Sequence, residues 1–561
     1  MDSIGNSIFS RRTIVLAAAA IACLTWTLQD QAAEPRPAPQ ATSHESARAA
    51  CEALAGYNVP TTAIGLPTTG AKVVSATFVT MDAAGNDEGE YCKIFGAILP
   101  VDPSAPKINF EVNLPSNWNG KMLQLGGGGF DGTLVTGLGR TLSEKATSPS
   151  PIAQGYVTLG SDSGHQSTAV FDASFSQNNE AFRNFGGDQI KKTHDVALAL
   201  IRKRYGRDPL HSYFLGGSQG GHEGFVAVQH YPQDYDGVVS LYPAYNVALL
   251  HLGANAFGKA LYANGGAGWL NSRKIALLEK AVYDTCDGLD GVADGMISNV
   301  AGCQRAFTIQ TIQSKLRCAD GADTGDTCLS DAQIGAVQKI DSSFKLAFPL
   351  ADGEQIFPRW SILEGAQFLT MLGQTRTPSH PPGKGDALQY MIGDESARYI
   401  FTGNLDLDSV NAFNPDDYKQ RIIDASKILN TANPDISAFR DRGGKLLLLH
   451  GTIDEFITPY NTINYYNRLV EKFGQNRLDQ FVRFYIVPGY GHGYGIFDAR
   501  WDPLAVLDAW VTKKEAPSTL TAMDGNKDAN RSRPLCVYPS WPKYNGSGNV
   551  NAASSFRCVM R

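Results

Sequence analysis

The chain has 561 residues, which is long for one simple domain, so the sequence predicts a large domain with a substantial insertion, or two domains. Its 49 basic and 55 acidic residues give a net charge of −6, and neither a basic face nor a long run of Lys and Arg is visible. This charge balance argues against specific binding of RNA or DNA.

The first 33 residues are expected to be an export signal. Ser10-Arg11-Arg12 precedes an apolar run over residues 13–28, which is too short and too poorly flanked for a spanning helix. The arginine pair resembles a bacterial twin-arginine signal, and an ordinary secretory signal fits the pattern as well. A proline-containing linker is expected over residues 34–50. We therefore expect a secreted or periplasmic protein without stable membrane insertion.

The cysteines support export. Of the nine, Cys23 lies inside the signal, and the remaining eight contain no C-x-x-C metal pair. In an exported protein an even number of cysteines indicates a disulfide framework. Pairing between sequence neighbours suggests four bonds: Cys51–Cys92, Cys286–Cys303, Cys318–Cys328 and Cys536–Cys558.

From residue 109 onward, short apolar runs alternate with helical stretches such as the one over residues 188–205. This alternation predicts an α/β protein whose mainly parallel sheet is covered by helices on both faces. The predicted strands comprise residues 121–125, 156–159, 213–215, 237–241, 444–450 and 483–487.

The alternation is lost between about residues 246 and 434, where polar helices, long loops and four cysteines occur. One sheet with a long insertion explains this better than two consecutive domains. We expect a catalytic domain built on this sheet from residues 51–245 and 435–561, with residues 246–434 as an inserted lid domain. Chemistry in such sheets gathers at the carboxyl ends of the strands, which a lid would cover.

The nucleophile is predicted to be Ser218, in the G-x-S-x-G pattern Gly216-Gly-Ser-Gln-Gly220. An apolar strand precedes the pattern and a helix-compatible run follows it. Such a tight turn raises the serine hydroxyl above the sheet edge and directs the N–H of Gln219 toward the same space. The alternative is a glycine-rich loop with an incidental serine.

A serine hydroxyl needs a base that removes its proton and an acid that orients the base. In this fold both follow the serine, the acid first. Asp454 and His492 each come just after a predicted strand, and we assign them as acid and base.

Other side chains could take part. Glu455 is an alternative acid, but it follows Asp454 directly and should point elsewhere. His450 and His165 are alternative bases, but the first precedes the acid and the second precedes the serine. For His165 we prefer a hydrogen-bonded pair with Asp162 that organises a loop. Less favoured candidates are His222 and Glu223, in the first turn of the helix that follows the serine. For Glu223 the alternative is a carboxylate that the helix dipole favours at that position.

The oxyanion that forms when a serine attacks a carbonyl group needs two N–H donors. Gln219 provides one. The glycine run over residues 126–129 is the natural source of the other, because backbone without side chains can approach a substrate closely. The alternative is a flexible loop.

A calcium site is expected in the segment 286–298. Asp287, Asp290 and Asp294 occur at short spacing among glycines, and the carbonyls of Val292 and Met296 fall between and beyond them. Calcium prefers six to eight oxygen ligands of this kind. The spacing is not that of an EF-hand, and a solvated loop is the alternative. The ion would be structural.

Further motifs link the chain to a known family: Cys51-Glu-Ala-Leu54, Asn117-Trp-Asn-Gly120, Ser161-Asp-Ser-Gly-His165, Ser218-Gln-Gly-Gly221, residues 439–444, His450-Gly-Thr-Ile-Asp454, Val487-Pro-Gly-Tyr-Gly-His492 and Arg533-Pro-Leu-Cys-Val-Tyr538. In these, the chain resembles the tannase and feruloyl esterase family of α/β-hydrolases over nearly all of its mature length. The resemblance implies a lid that carries the substrate pocket, Ca²⁺ in the aspartate loop, the four disulfides and Gly127 as second oxyanion donor.

One departure from the family is clear. Its members usually carry a disulfide between a cysteine just before the nucleophile and another just after the histidine, and here both positions are glycine, Gly217 and Gly493. We expect the triad to survive without this bond. An arginine by which one family member holds a substrate carboxylate also has no clear match; Arg376, Lys384 and Arg398 are equal candidates.

The sequence therefore predicts an exported serine esterase. It would hydrolyse carboxylic esters, with an aromatic or phenolic acyl group of feruloyl, galloyl or terephthaloyl type, through an acyl-enzyme. The alternatives are an amidase, peptidase or lactonase of the same fold, and a non-catalytic binding protein on a hydrolase scaffold.

Overall fold

A ten-stranded sheet forms the centre of the computed structural model, which describes residues 44–366, 368 and 372–560. In space the strands follow the order β1-β2-β3-β4-β6-β5-β7-β8-β9-β10. The strands from β6 to β10 in this order are parallel, which confirms the predicted α/β fold with a mainly parallel sheet. Their bounds are β1 Asn58–Val59, β2 Gly70–Val79, β3 Tyr91–Leu99, β4 Ile108–Pro115, β5 Lys121–Leu125, β6 Val157–Ser161, β7 His211–Gly217, β8 Gly237–Leu241, β9 Lys445–Gly451 and β10 Val482–Val487.

The parallel strands were predictable because they are buried on both faces. Every residue of β8 is buried, and so is β9 after its first residue. Strands covered on both faces are nearly continuous apolar runs, which stand out in a sequence. The predicted bounds of β5 and β8 agree with the observed ones.

The antiparallel strands β1–β4 were not predicted. They pair with their neighbours in sequence, and β4 joins the parallel part through β6. Strand β2 alternates between buried and exposed residues and has a bulge between Val73 and Ser75, so its apolar signal is weak.

The first described helix corrects another prediction. Residues 44–50, assigned to a linker from the sequence, belong to helix α1, which buries Ala47 and Cys51. The predicted export signal and residues 34–43 of the linker lie outside the described residues. The described residues from Glu45 onward form one compact unit.

The α-helices of the described chain are α1 His44–Glu52, α2 Asn179–Arg183, α3 Gln189–Tyr205, α4 Gln219–Gln229, α5 Val247–Gly266, α6 Ser272–Cys286, α7 Val300–Ala306, α8 Ile309–Lys315, α9 Asp331–Ile340, α10 Leu388–Glu395, α11 Lys419–Leu429, α12 Ser437–Asp441, α13 Pro459–Phe473, α14 Gln475–Leu478 and α15 Pro503–Lys513. Short 3₁₀ or π segments are Thr61–Ala63, Ser174–Gln177, Asn184–Asp188, Asp287–Asp290, Ser396–Thr402, Pro415–Tyr418 and Ala553–Ser555. No helix among the described residues is both long and apolar enough to cross a membrane.

Helices make up most of the regular structure described in the insertion 246–434, and its α5 and α10 pack against each other. One apolar core runs through these helices and continues to Phe130, Phe185 and Ile457 of the flanking segments. The boundaries of the predicted lid domain stay a prediction. Small antiparallel ladders complete the structure: Phe344–Lys345 with Ile356–Phe357; Ala499–Arg500, Leu520–Asp524 and Ser532–Leu535; and Trp541–Tyr544 with Phe556–Val559.

All four predicted disulfides are confirmed. The pairs are Cys51–Cys92, Cys286–Cys303, Cys318–Cys328 and Cys536–Cys558. A framework of this kind indicates an extracellular or periplasmic protein, because reducing compartments do not maintain it.

Candidate active site

Ser218 occupies a sharp turn between β7 and α4. Its backbone has a φ of 62° and a ψ of −120°, a conformation that is strained for any residue with a side chain. The N–H of Ser218 donates to Leu241 O at 3.0 Å, and the N–H of Gly220 donates to Gly127 O at 3.1 Å, so neighbouring segments hold the turn. A Cβ atom on Gly216 would lie 2.3 Å from Gly220 O, which explains the glycines of the pattern.

His492 and Asp454 form a hydrogen-bonded pair. The Nδ1 atom of His492 lies 3.0 Å from Asp454 Oδ2. Asp454 is fully buried, and its Oδ1 accepts the N–H groups of Phe456 and Ile457, both at 2.9 Å. Burial opposes its ionisation, but the imidazoles of His492 and His450 lower the pKa of Asp454 below its usual range. This carboxylate is therefore charged and can hold the imidazole through Nδ1–H.

Ser218 and His492 line one cavity of about 420 Å³, together with Gln219. The three predicted triad residues come from the ends of β7, β9 and β10, as expected for parallel strands whose carboxyl ends share an edge. The geometry brings the predicted nucleophile, acid and base to one place.

His450 also contacts Asp454, with its Nε2 3.2 Å from Oδ2. Both of its ring nitrogens have other partners: Nε2 lies 2.8 Å from Ile457 O, and Nδ1 lies 2.8 Å from Thr462 Oγ1. The ring is fully buried and supports the acid from behind. The alternative acid, Glu455, instead accepts the hydroxyl of Tyr494 at 2.7 Å.

The predicted oxyanion role of Gly127 needs correction. Its N–H donates to Glu223 Oε2 at 3.0 Å, so it is not available to a substrate. The next residue, Gly128, lines the cavity, and its N–H has no hydrogen-bond partner among the described residues; the same holds for Gln219. The donor pair that the structure leaves accessible is therefore Gly128 and Gln219.

Glu223 lies near the start of α4, where the sequence suggested a carboxylate favoured by the helix dipole. It is buried, and its Oε1 accepts the Gln189 amide at 2.7 Å. Its carboxyl group is also hydrogen-bonded to that of Asp131, and burial raises the pKa of Glu223 to about 7. Burial and the neighbouring Glu223 raise the pKa of Asp131 well above its usual range. Both shifts favour protonation of one of the two acids behind the glycine run.

The expected hydrogen bond between His165 and Asp162 is not present among the described residues. Asp162 organises its loop through other groups: it accepts the Asn109 side chain at 2.7 Å and the Gly164 N–H at 3.1 Å. The His165 ring stacks on Phe175 with centroids 4.2 Å apart, and burial lowers its pKa to about 4. His222 is fully buried and does not line the cavity.

The walls of the cavity are mainly apolar. They include Phe130, Phe171, Leu250, Ile392, Phe456 and Ile457. Among the described residues, the cavity wall has one further ionisable side chain apart from Tyr242 and His492. It is His251, whose Nδ1 lies 2.8 Å from Ser396 Oγ. Burial lowers the pKa of His251 to about 3, so it is neutral.

No Lys or Arg is among the described residues that line this cavity. Arg398 is buried in ion pairs with Asp394 and Glu395, and Arg376 donates to Gly266 O. Neither lines the cavity, nor does Lys384, so none of the three candidate cations contacts the space beside Ser218.

The aspartate loop forms a compact turn of its own. Asp287 Oδ1 accepts the N–H groups of Gly295 and Met296, both at 3.1 Å. Burial raises the pKa of Asp290 to about 6. One cation already contacts the loop, since Arg533 donates to Asp294 Oδ2 at 2.5 Å.

The loop's oxygens suit calcium chemically. It has three carboxylates, and no described residue donates a hydrogen bond to the carbonyls of Val292 and Met296. The loop's carboxylates are not gathered as a preformed group: among the described residues, the cluster whose ligand atoms lie within 4.8 Å of one another is His194, Asp195 and Asp234. There, however, Lys191 Nζ lies 2.8 Å from Asp195 and 3.0 Å from Asp234, and supplies the positive charge.

Known proteins share this architecture. The family model described as tannase and feruloyl esterase matches residues 92–559. An uncharacterized esterase of Agrobacterium fabrum is 40% identical over 92% of this chain and 94% of its own length. The mono(2-hydroxyethyl) terephthalate hydrolase of Piscinibacter sakaiensis is 28% identical over 84% and 85% of the two chains. The crystal structure of feruloyl esterase B from Aspergillus oryzae has the same fold, with a TM-score of 0.73 at 24% identity, over 91% of this chain and all of that one.

Proposed function

Because this chain belongs to the tannase and feruloyl esterase family and is a carboxylic ester hydrolase, we propose that it is an exported serine esterase for aromatic or phenolic acyl groups. The observation that carries the proposal is the Asp454–His492 pair beside the cavity that Ser218 lines. This constellation of acid, base and nucleophile is what acyl transfer requires.

The reaction has two halves. His492 removes the proton from Ser218 Oγ as the oxygen attacks the ester carbonyl, and Asp454 stabilises the resulting imidazolium. The C–O bond then breaks, and the alcohol leaves with the proton from His492. Water, deprotonated by the same imidazole, attacks the acyl-enzyme, and the acid departs as Ser218 recovers its proton. The N–H groups of Gln219 and Gly128 stabilise the oxyanion in both halves.

The cavity favours an uncharged acyl group. Its described walls are mainly apolar and aromatic, and they contain no Lys or Arg that could pair with a substrate carboxylate. A buried, unpaired carboxylate costs several kcal/mol. Among the acyl groups considered, a feruloyl-type group fits this chemistry better than a terephthaloyl monoester.

The expected preference is measurable with matched substrates. A benzoate ester and its analogue with a free para-carboxylate differ only in charge at the far end of the ring. We expect kcat/KM to be at least tenfold higher for the uncharged ester. Equal or higher kcat/KM for the charged ester would show that a cation reaches the substrate after all.

Calcium would be held by the carboxylates of Asp287, Asp290 and Asp294 and the carbonyls of Val292 and Met296. It would neutralise a cluster that Arg533 compensates only in part. None of these residues lines the cavity with Ser218, so the ion would support the fold and leave the chemistry to the triad. The N-terminal signal would deliver the protein to the compartment that its disulfides require.

The reaction is tested with Ser218→Ala and His492→Ala. Each variant should lose turnover of 4-nitrophenyl esters by about 10⁴-fold or more, because the triad acts as a unit. Ser314→Ala, on the exposed face of α8, is the matched control and should retain activity. Folding is checked by the thermal transition. A folded Ser218→Ala protein with near wild-type turnover would refute the assignment.

Two further experiments separate the alternatives. A fluorophosphonate probe should label the wild-type protein and leave Ser218→Ala unlabelled, whereas a non-catalytic scaffold would not react. Matched ester and amide substrates distinguish an esterase from an amidase or peptidase, and we expect turnover of the ester alone.

A further inference from the structure

Tyr242 occupies the space between the nucleophile turn and the histidine loop. We propose that Tyr242 is a positioning residue that joins these two segments by packing, and so holds His492 in register with Ser218. The proposal rests on the proposed function, because it assigns a role in the same reaction. No feature of the sequence around Tyr242 indicated this role.

The backbone of Tyr242 is fixed between the ends of three strands. It follows β8, and its N–H donates to Leu449 O of β9 at 2.7 Å. The preceding residue, Leu241, accepts the N–H of Ser218 at 3.0 Å. Tyr242 has a φ of 36°, in the left-handed region that residues with a side chain seldom adopt. The surrounding contacts thus impose an unfavourable conformation that directs this ring to one place.

The hydroxyl end of the ring fills a gap between two glycines. A Cβ atom on Gly217 would lie 2.7 Å from Tyr242 Oη, and a Cβ atom on Gly493 would lie 2.9 Å from the same oxygen. Heavy atoms do not approach this closely without displacement. Gly217 precedes the nucleophile and Gly493 follows the histidine, so one phenol touches both catalytic segments and excludes larger residues from both positions.

The Tyr242 ring also packs against the ring of the catalytic base. The centroids of Tyr242 and His492 lie 4.6 Å apart, and Phe456 stacks on His492 at the same distance with an interplanar angle of 18°. The imidazole is therefore enclosed by two aromatic rings, while Asp454 holds its Nδ1. Packing of this kind restricts rotation of the His492 side chain about its χ angles. The hydrogen bond to Asp454 does not achieve this alone.

Tyr242 is suited to packing and not to proton transfer. It is 4% exposed, and burial raises its pKa well above the ordinary value, so the phenol stays neutral. A displacement of about 1 Å at a reacting group can reduce the rate by about 10²-fold. We therefore expect the main effect of removing the ring to be on kcat.

The two glycines suggest a covalent substitute for the ring. The distance between the two Cβ positions can be no greater than the two distances to Oη taken together. This upper limit allows the Cβ–Cβ distance of roughly 3.5–4.5 Å that a disulfide needs. With the phenol removed, cysteines at both positions should therefore bond. If this bond restores activity, the role of Tyr242 is to link the two segments. A general contribution of Tyr242 to folding would not be replaced by the bond.

The experiment compares kcat for the wild type and four variants. Tyr242→Ala should lower kcat by about 10–10²-fold. Tyr242→Phe, which keeps the ring, should retain most of the activity. Tyr242→Ala/Gly217→Cys/Gly493→Cys should recover at least tenfold over Tyr242→Ala when oxidised, and lose the gain on mild reduction. The control, Tyr242→Ala/Gly217→Cys, has one added cysteine and should not respond to oxidation.

Thiol titration reports whether the new disulfide has formed. Three results would each overturn the proposal: wild-type kcat in Tyr242→Ala, failure of the added cysteines to pair, or a formed bond without recovery. Gly493 has a φ of +86°, so a cysteine there lowers stability, but the oxidised and reduced forms share that cost. Absence of ester turnover in the wild-type protein would instead reject the proposed function, and this inference with it.

Discussion

At the scale of single residues, Asp131 and Glu223 explain the shape of the oxyanion loop. A Cβ atom on Gly126 would lie 2.6 Å from Glu223 Oε2, and one on Gly127 would lie 2.7 Å from Asp131 Oδ2. The glycine run thus lies directly on the two carboxyl groups. Glu223 accepts a hydrogen bond from the N–H of Gly127. This contact also helps to orient the next peptide group, between Gly127 and Gly128, which carries the N–H of Gly128.

This arrangement predicts a loss of activity at high pH. The pKa of Asp131 is raised by burial and by Glu223, with Asp162 contributing as well. An acid with a raised pKa in the folded state stabilises that state at low pH, and this stability is lost as the pH rises through the raised pKa. When the second carboxyl group ionises, two buried charges repel beneath the oxyanion loop.

Asp131→Asn tests this effect, because an amide remains neutral and can still donate to Glu223. We expect a kcat/KM close to that of the wild type near pH 6 and a weaker decline above pH 7. Glu223→Gln keeps an acceptor for Gly127 and should be milder than Glu223→Leu, which should lose about 10²-fold or more if the donors are displaced. Identical alkaline limbs in the wild type and Asp131→Asn would contradict the prediction.

At the scale of elements, the aspartate loop links the insertion to the histidine loop. A Cβ atom on Gly489 would lie 2.9 Å from the Met296 side chain, so these two loops pack closely together. Asp294 also pairs with Arg533 near the C-terminus. A cation in the aspartate loop would therefore strengthen an attachment between segments that are distant in sequence.

If the proposed calcium ion is bound, its removal should lower the thermal stability more than it lowers kcat. At a calcium concentration about 100 times Kd, binding to the folded state alone contributes about 2.7 kcal/mol. EDTA should thus lower the thermal midpoint, and added Ca²⁺ should restore it, while kcat measured well below that midpoint changes little.

Asp290→Asn should abolish this response to calcium. Asp424→Asn, an exposed aspartate that pairs with Lys427 on α11, is the matched control and should respond as the wild type does. A midpoint that is the same with EDTA and with calcium would remove the ion from the description of this protein.

At the scale of the whole molecule, the disulfides differ in how much chain they constrain. The Cys51–Cys92 bond closes a separation of 41 residues and the Cys318–Cys328 bond one of 10. Loop-closure entropy makes the longer crosslink more stabilising by about 1 kcal/mol.

The expected order of stability follows from these lengths. A double alanine variant at positions 51 and 92 should have a lower urea midpoint than one at positions 318 and 328. The first bond also joins α1 to the antiparallel edge of the sheet, so its loss should loosen that edge. A greater loss in the 318/328 variant would show that strain or local packing outweighs chain entropy.

The sequence by itself determined the features that depend on local patterns. Apolar runs identified the parallel strands because those strands are buried on both faces. The glycines around Ser218, and an acid and a histidine just past later strands, followed from the backbone requirements of one turn and from the edge that parallel strand ends share. The disulfides were predictable because each joins neighbouring cysteines in the chain.

Only the tertiary structure decided how distant groups share space. His450 and His492 both contact Asp454. Of these two histidines, it is His492 that lines the cavity, and this is visible only in the folded structure. The N–H of Gly127 is taken by a carboxylate 96 residues away, which moves the available oxyanion donor to Gly128. Tyr242 meets Gly217 and Gly493 because three strand ends converge there. Such contacts depend on three-dimensional packing, which no local pattern of residues records.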